Sequence, residues 1–190
     1  MSKPVNRDDL EKFHELDVHV PSRTILLFGE IHAESAEKFI KSFHALQSAS
    51  TAPITVILNS DGGDQDHGMA IHDTLASSSA HVTIKVVGNA ASMGAVILQA
   101  ADHRIVTPYS TVMFHLGETS TSSPSREAKN SAEYDLRYSA ALDDIIYDRV
   151  NNSPTWKGGL SRAVFNKLND ESTYLRGLEV VEWGLADEVL

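Results

Sequence analysis

Three runs of β-branched and apolar residues, each closed by glycine and followed by a stretch of helical period, constrain this chain more than any other feature. Thr24 to Phe28 ends at Gly29 and precedes Glu34 to Gln47, where Ala36, Phe39, Ile40, Phe43, Ala45 and Leu46 recur at mostly helical spacing. Pro53 to Leu58 ends at Asn59-Ser60-Asp61-Gly62-Gly63, whose turn-forming residues are expected to stop a strand, and a helix from Asp64 to Ser77 follows. Val82 to Val87 ends at Gly88 and leads through a turn into a helix reaching about Ala101. Strands alternating with helices at this rhythm require parallel pairing through right-handed crossovers, and parallel sheets gather their sites at the C-terminal ends of strands. Both glycine-rich stops fall at such ends. The expectation is an α/β fold in one domain, because 190 residues suffice for a core without staples and the chain has no cysteine.

Arg104 to Thr107 and Thr111 to His115 read as two further strands around a turn at Pro108-Tyr109, and residues 116 to 123 as a polar Ser/Thr-rich loop. A long helix is expected from Pro124, with Ser123 as N-cap and an apolar stripe of Ala128, Ala132, Leu136, Ala140 and Ile145, stopping before Asn151. That stripe suits either ordinary packing or an oligomer contact; projection beyond the strand units favours the second. Helices near Ser161 to Leu168 and Leu178 to Trp183, flanking an acidic Asp170-Glu171, complete the chain. Residues 1–22 carry no clear period and are set apart as an N-terminal arm before a domain at 23–190, whose helical handle region spans about 116–150. No internal repeat or linker is visible. A net charge of -10, with 26 acidic against 16 basic residues and no basic stripe, argues against nucleic acid as a partner. The N-terminus lacks an apolar signal region and no run reaches the roughly 20 apolar residues of a membrane span, so a soluble, cytoplasmic protein with no membrane partner is expected.

The chemistry is expected at Gly88-Asn89-Ala90-Ala91-Ser92-Met93-Gly94-Ala95. A serine at this strand-to-helix turn sits beside first-turn N–H groups that have no intrahelical partner, and these suit a developing oxyanion. Ala90-x-Ser92-x-Gly94 resembles the nucleophile elbow of serine hydrolases with Ala for its first Gly, although tight helix–strand packing accounts for the small residues equally well. His115, at the end of a buried-looking strand, is a candidate base, while Gly62, Gly63 and the N–H of Met93 are candidate donors. With nine histidines in the chain, a structural role for His115 stands beside the catalytic one. No metal is expected: His67 and His72 are five apart and do not share a helix face, and Asp64, Asp66 and Asp73 read as a solvated acidic face.

Five blocks in order, Asn59 to Gly63, Gly68 to Thr74, Gly88 to Ala95, Val112 to His115 and Glu182 to Val189, resemble the ClpP family of serine peptidases over about residues 23–190. The resemblance implies a ClpP/crotonase fold of repeated strand-strand-helix units with a protruding long handle helix, here Pro124 to Val150. It further implies Ser92 as nucleophile, His115 as general base, and the N–H groups of Gly63 and Met93 as oxyanion donors. Family members stack two heptameric rings through that helix and enclose a chamber for peptides or unfolded protein, usually fed by an AAA+ unfoldase. The chain would then be a homo-oligomer with no cofactor of its own, ATP entering only through such a partner.

Two departures from the family pattern stand out. Ser60-Asp61-Gly62-Gly63 replaces Ser-Pro-Gly-Gly, which loses a fixed φ and adds a carboxylate near the oxyanion site. The family's orienting aspartate falls on Ser172, after Asp170 and Glu171, and the stretch from Asn151 to Asn169 is longer than usual. Ser172 as a neutral third member is the favoured reading, Glu171 or Asp170 can stand in, and a Ser–His dyad is the remaining arrangement. The leading expectation is an ATP-dependent-type serine endopeptidase of reduced activity. The alternative is a catalytically weak or inactive ring subunit, and a crotonase-like acyl-CoA enzyme is the third reading, one that gives the Ser92 and His115 pair no role.

Overall fold

Hydrophobic alternation and glycine placement combine to build one twisted sheet. The computed structural model describes residues 7–115, 126–156 and 158–190. Its elements are α1 (Arg7–Leu16), β1 (Val18–His19), β2 (Thr24–Ile31), α2 (Ala33–Ala49), β3 (Ile54–Gly63), α3 (Gln65–Ala76), β4 (Val82–Ala91) and α4 (Met93–Leu98). They continue as β5 (His103–Val106), β6 (Thr111–Phe114), α5 (Arg126–Asn151), α6 (Arg162–Asp170), β7 (Thr173–Arg176), α7 (Leu178–Glu182) and β8 (Glu188–Val189). The main path of the sheet runs β1-β2-β3-β4-β5-β8, and β6 pairs with β4 and with β7. The β2–β3, β3–β4, β4–β5 and β4–β6 pairings are parallel, as the strand–helix rhythm requires, whereas β1 on β2 and β7 on β6 are antiparallel. Ile54, Val56, Leu58, Val82, Ile84 and Val86 are all fully buried at the sheet centre.

The expected stops are not stops. β3 runs on through Asp61-Gly62-Gly63 and β4 through Gly88-Asn89-Ala90-Ala91, each past the point where turn-forming residues were expected to end it. Bulges absorb those residues: the β3–β4 register shifts between Leu58 and Ser60, and Gly88 takes φ 95° there. Asn59 plugs the bulge, its Oδ1 accepting the Asn89 N–H at 3.0 Å. Beyond Gly88, β4 exchanges β5 for β6 as its neighbour, through Asn89 to Ala91. That exchange brings the end of β6 beside Ser92.

Residues without a legible period also fold. α1 and β1 lie within the stretch set apart as an arm, and β1 pairs with β2 through Val18–Ile25 and His19–Thr24. β7, β8 and their pairings have no counterpart among the expected strands. The stripe of α5 is rotated from the expected one: Leu142, Ile146 and Val150 enter the core, while Leu136 is 59 % exposed and Ala140 is exposed. The C-terminal half of α5 therefore docks, while its other half offers Tyr134 and Leu136 to the exterior. The loop at 116–123 and the expected start of this helix at Ser123-Pro124 lie outside the described residues. Among those described, no helix is long and apolar enough to cross a membrane.

Candidate active site

Ser92 stands at the junction of β4 and α4 with φ 52° and ψ -119°, a conformation rarely taken by a residue with a side chain. Its backbone N–H donates to the Met113 carbonyl at 2.8 Å, which ties the turn to β6. A Cβ on Gly62 would come within 2.8 Å of Ser92 Cβ and 3.0 Å of the Met93 nitrogen. The bare glycine at 62 thus leaves the room in which the serine stands. Met93 is buried in a slot left by Gly68 of α3, where an added Cβ would strike its side chain. As the first residue of α4, Met93 has no intrahelical partner for its N–H.

His115 follows β6 directly, and its Nε2 lies 2.8 Å from Ser92 Oγ. For Nε2 to accept from the hydroxyl, the proton must sit on Nδ1. Among the described residues no carboxylate is hydrogen-bonded to Nδ1. The antiparallel ladder of β6 and β7 ends at the Phe114–Thr173 pair, and His115 and Ser172 each lie one residue beyond it. Ser172 takes φ 58°, and its N–H donates to the Asn169 carbonyl at 3.3 Å. Glu171 is exposed, with Lys167 at 3.9 Å, and Asp170 is exposed at the end of α6. Among the described residues, neither carboxylate is hydrogen-bonded to or ion-paired with His115.

Ser92, His115, Met93 and Gly63 line one hollow of about 660 Å³. Asp61 lines it too, but its carboxylate accepts from the Asn89 amide at 2.5 Å, and Asp64 caps α3 by accepting the His67 N–H at 3.0 Å. The opposite wall is α5, through Asp135, Tyr138, Ser139, Leu142, Asp143 and Ile146. Nothing in the sequence marks these residues as functional, although their spacing of three and four places them on one helix face. Burial, with the charge and hydrogen bond of Asp66, raises the Tyr138 hydroxyl to about 12. Burial likewise raises Asp143, against a hydrogen bond from Asn169 and the charge of Arg162. Among the described residues, no three His, Asp or Glu side chains converge as a metal site.

Comparison with known proteins agrees with this arrangement of elements. ATP-dependent Clp protease proteolytic subunit 1 of Chlamydia muridarum is 31% identical over 175 residues, covering 89% of this chain and 86% of that protein. Proteolytic subunit 3 of Synechococcus sp. (strain CC9605) is 31% identical over 173 residues, 88% of this chain and 82% of the relative. A solved structure, a ClpP1 mutant from Listeria monocytogenes, matches with a TM-score of 0.77 at 28% identity, over 90% of this chain and 92% of that one. The ClpP-type α/β fold expected from the sequence is therefore the fold present. The sequence model of the Clp protease matches residues 9–190, and the chain belongs to the Clp protease family.

Proposed function

We propose that this chain is a serine endopeptidase subunit that hydrolyses peptides or unfolded proteins inside a ring-shaped chamber. The observation that carries the reading is the 2.8 Å contact between His115 Nε2 and Ser92 Oγ at the start of α4. His115 takes the hydroxyl proton as Ser92 Oγ attacks the peptide carbonyl, and the N–H groups of Met93 and Gly63 receive the oxyanion. The imidazolium then gives that proton to the leaving amine, and a water activated by the same histidine releases the acyl group. The third position is Ser172, a neutral acceptor for Nδ1–H. It fixes the tautomer but stabilises the imidazolium less than a carboxylate does, so turnover is low. The exposed half of α5 is the surface for stacking two heptameric rings, and an AAA+ unfoldase delivers substrate at the cost of its own ATP.

One observation favours a second reading, a ring subunit with little or no chemistry of its own: no carboxylate reaches His115 among the described residues. Cleavage of fluorogenic peptides by wild type, Ser92→Ala and Ser172→Asp decides between them, with size-exclusion chromatography on each sample. Peptidase activity requires that wild type cleave and take a fluorophosphonate label that Ser92→Ala does not take. An assembled wild type that is silent, beside an active Ser172→Asp, establishes the structural subunit.

A further inference from the structure

The wall opposite the candidate nucleophile carries a carboxylate that no cation among the described residues pairs with. Asp143 is half-buried on α5 and lines the hollow that holds Ser92 and His115. Of the other four aspartates there, Asp61 is held by Asn89, Asp64 by the α3 cap and Asp66 by Tyr138, while Asp135 lies a further two turns along α5. Arg162, whose charge acts on Asp143, pairs instead with Asp144 at 2.6 Å and lies 3.7 Å over the Tyr147 ring. Asn169, only 2 % exposed, lends Asp143 a hydrogen bond, yet its own Oδ1 has no hydrogen-bond partner. Asp143 also lines a second hollow of about 390 Å³ together with Asn169 and Arg162, so its carboxylate stands between the two hollows. Val96, Leu142 and Ile146 make apolar wall on the Ser92 side.

A half-buried carboxylate reached along an apolar wall matches a side chain with a methylene stem and a donor-rich cationic head. We propose that this site selects peptides bearing lysine or arginine beside the bond to be cleaved, with Asp143 as the residue that recognises the cation. The inference rests on the peptidase reading for the word cleaved, but recognition itself does not require turnover. Among the described residues lining the Ser92 hollow, His115 alone can carry positive charge; Arg162 lines the second hollow and is paired with Asp144.

Binding is measured on the Ser92→Ala protein, by fluorescence anisotropy of short labelled peptides identical except for one residue, which is arginine, lysine, citrulline or norleucine at each position in turn. At one position the basic residues should bind about tenfold tighter than citrulline or norleucine, the scale of a desolvated charge pair. Asp143→Asn in the same background should bring that ratio to within about twofold, and Asp143→Glu should retain part of it. Equal affinities, or a preference spread over all positions and untouched by Asp143→Asn, would overturn the proposal in favour of general attraction to an acidic chain. So would an Asp143→Asn enzyme that loses turnover of basic and neutral peptides by one factor, since Asp143 would then act through His115. Turnover of neutral peptides by wild type tests the peptidase reading separately: a silent enzyme that still shows the positional preference is a basic-peptide binder, with recognition upheld and hydrolysis refuted.

Discussion

Ser92 and Gly177 adopt the same backbone conformation at two strand-to-helix turns, and only one of them carries a side chain. Ser92 has φ 52° and ψ -119° between β4 and α4, and Gly177 has φ 52° and ψ -115° between β7 and α7. Both N–H groups donate to carbonyls in or just before β6, Ser92 to Met113 at 2.8 Å and Gly177 to Ser110 at 3.0 Å. The difference lies in the space each turn faces. A Cβ at 177 would press to 2.3 Å on the Pro108 carbonyl, so glycine is required. At 92 the facing residue is Gly62, and the missing side chain has moved from the turn to the neighbouring strand. The same strained turn is thus built cheaply where it only joins elements. Where a hydroxyl must stand clear at a helix N-terminus, it is held at a cost of about 1–3 kcal/mol.

Each turn can be altered toward the other. Ser92→Gly makes the first turn into a copy of the second; turnover should fall to background, by about 10²–10⁵ given the already weakened triad, while thermal stability should hold or rise by about 1 kcal/mol. A stability loss in that variant would mean the serine is placed for packing. Ser172→Asp adds charge at the second strained serine, whose φ of 58° aspartate tolerates better than most residues. Peptide turnover should rise about tenfold or more, bounded by the roughly 10⁴ that a triad carboxylate contributes. No change would place Ser172 outside the proton relay.

Gly177→Ala asks whether the second turn has any slack. The clash with Pro108 and the positive φ should together lower stability by about 2–3 kcal/mol, read from denaturant midpoints. The smallest effect concerns the segment after that turn. Burial acts to raise the Asp187 carboxyl, but the hydrogen bonds and charge of Arg104, itself 1 % exposed, hold it below the ordinary value. Its contribution to stability is therefore full above the ordinary carboxylate value and is lost as pH falls from there through the lowered one. Asp187→Asn should flatten that part of the acid limb of a Tm-versus-pH curve.

Legibility followed the kind of signal each residue gave. The helices on the parallel strands were visible as period, whereas the caps at Asp64 and Ser161, which accept the N–H groups of His67 and Val164, were not singled out. Strand ends were misjudged because glycine and asparagine read locally as turns, whereas a neighbour's register made them bulges. Gly177 went unremarked because a single glycine after Thr173 to Arg176 reads as an ordinary helix boundary. α1 and β7 were missed because their stability comes from the elements they dock on and not from their own periodicity.

The sequence by itself determined the α/β rhythm, the turn at Ser92 and the order of the motif blocks, since these depend on neighbours in the chain. The tertiary structure alone decided that Ser92 Oγ and His115 Nε2 lie 2.8 Å apart, that Gly62 makes room for the serine, and that Asp143 faces them from α5. Those relations join residues 23 to 51 positions apart. Sheet register and helix rotation set them, and no local pattern encodes either one.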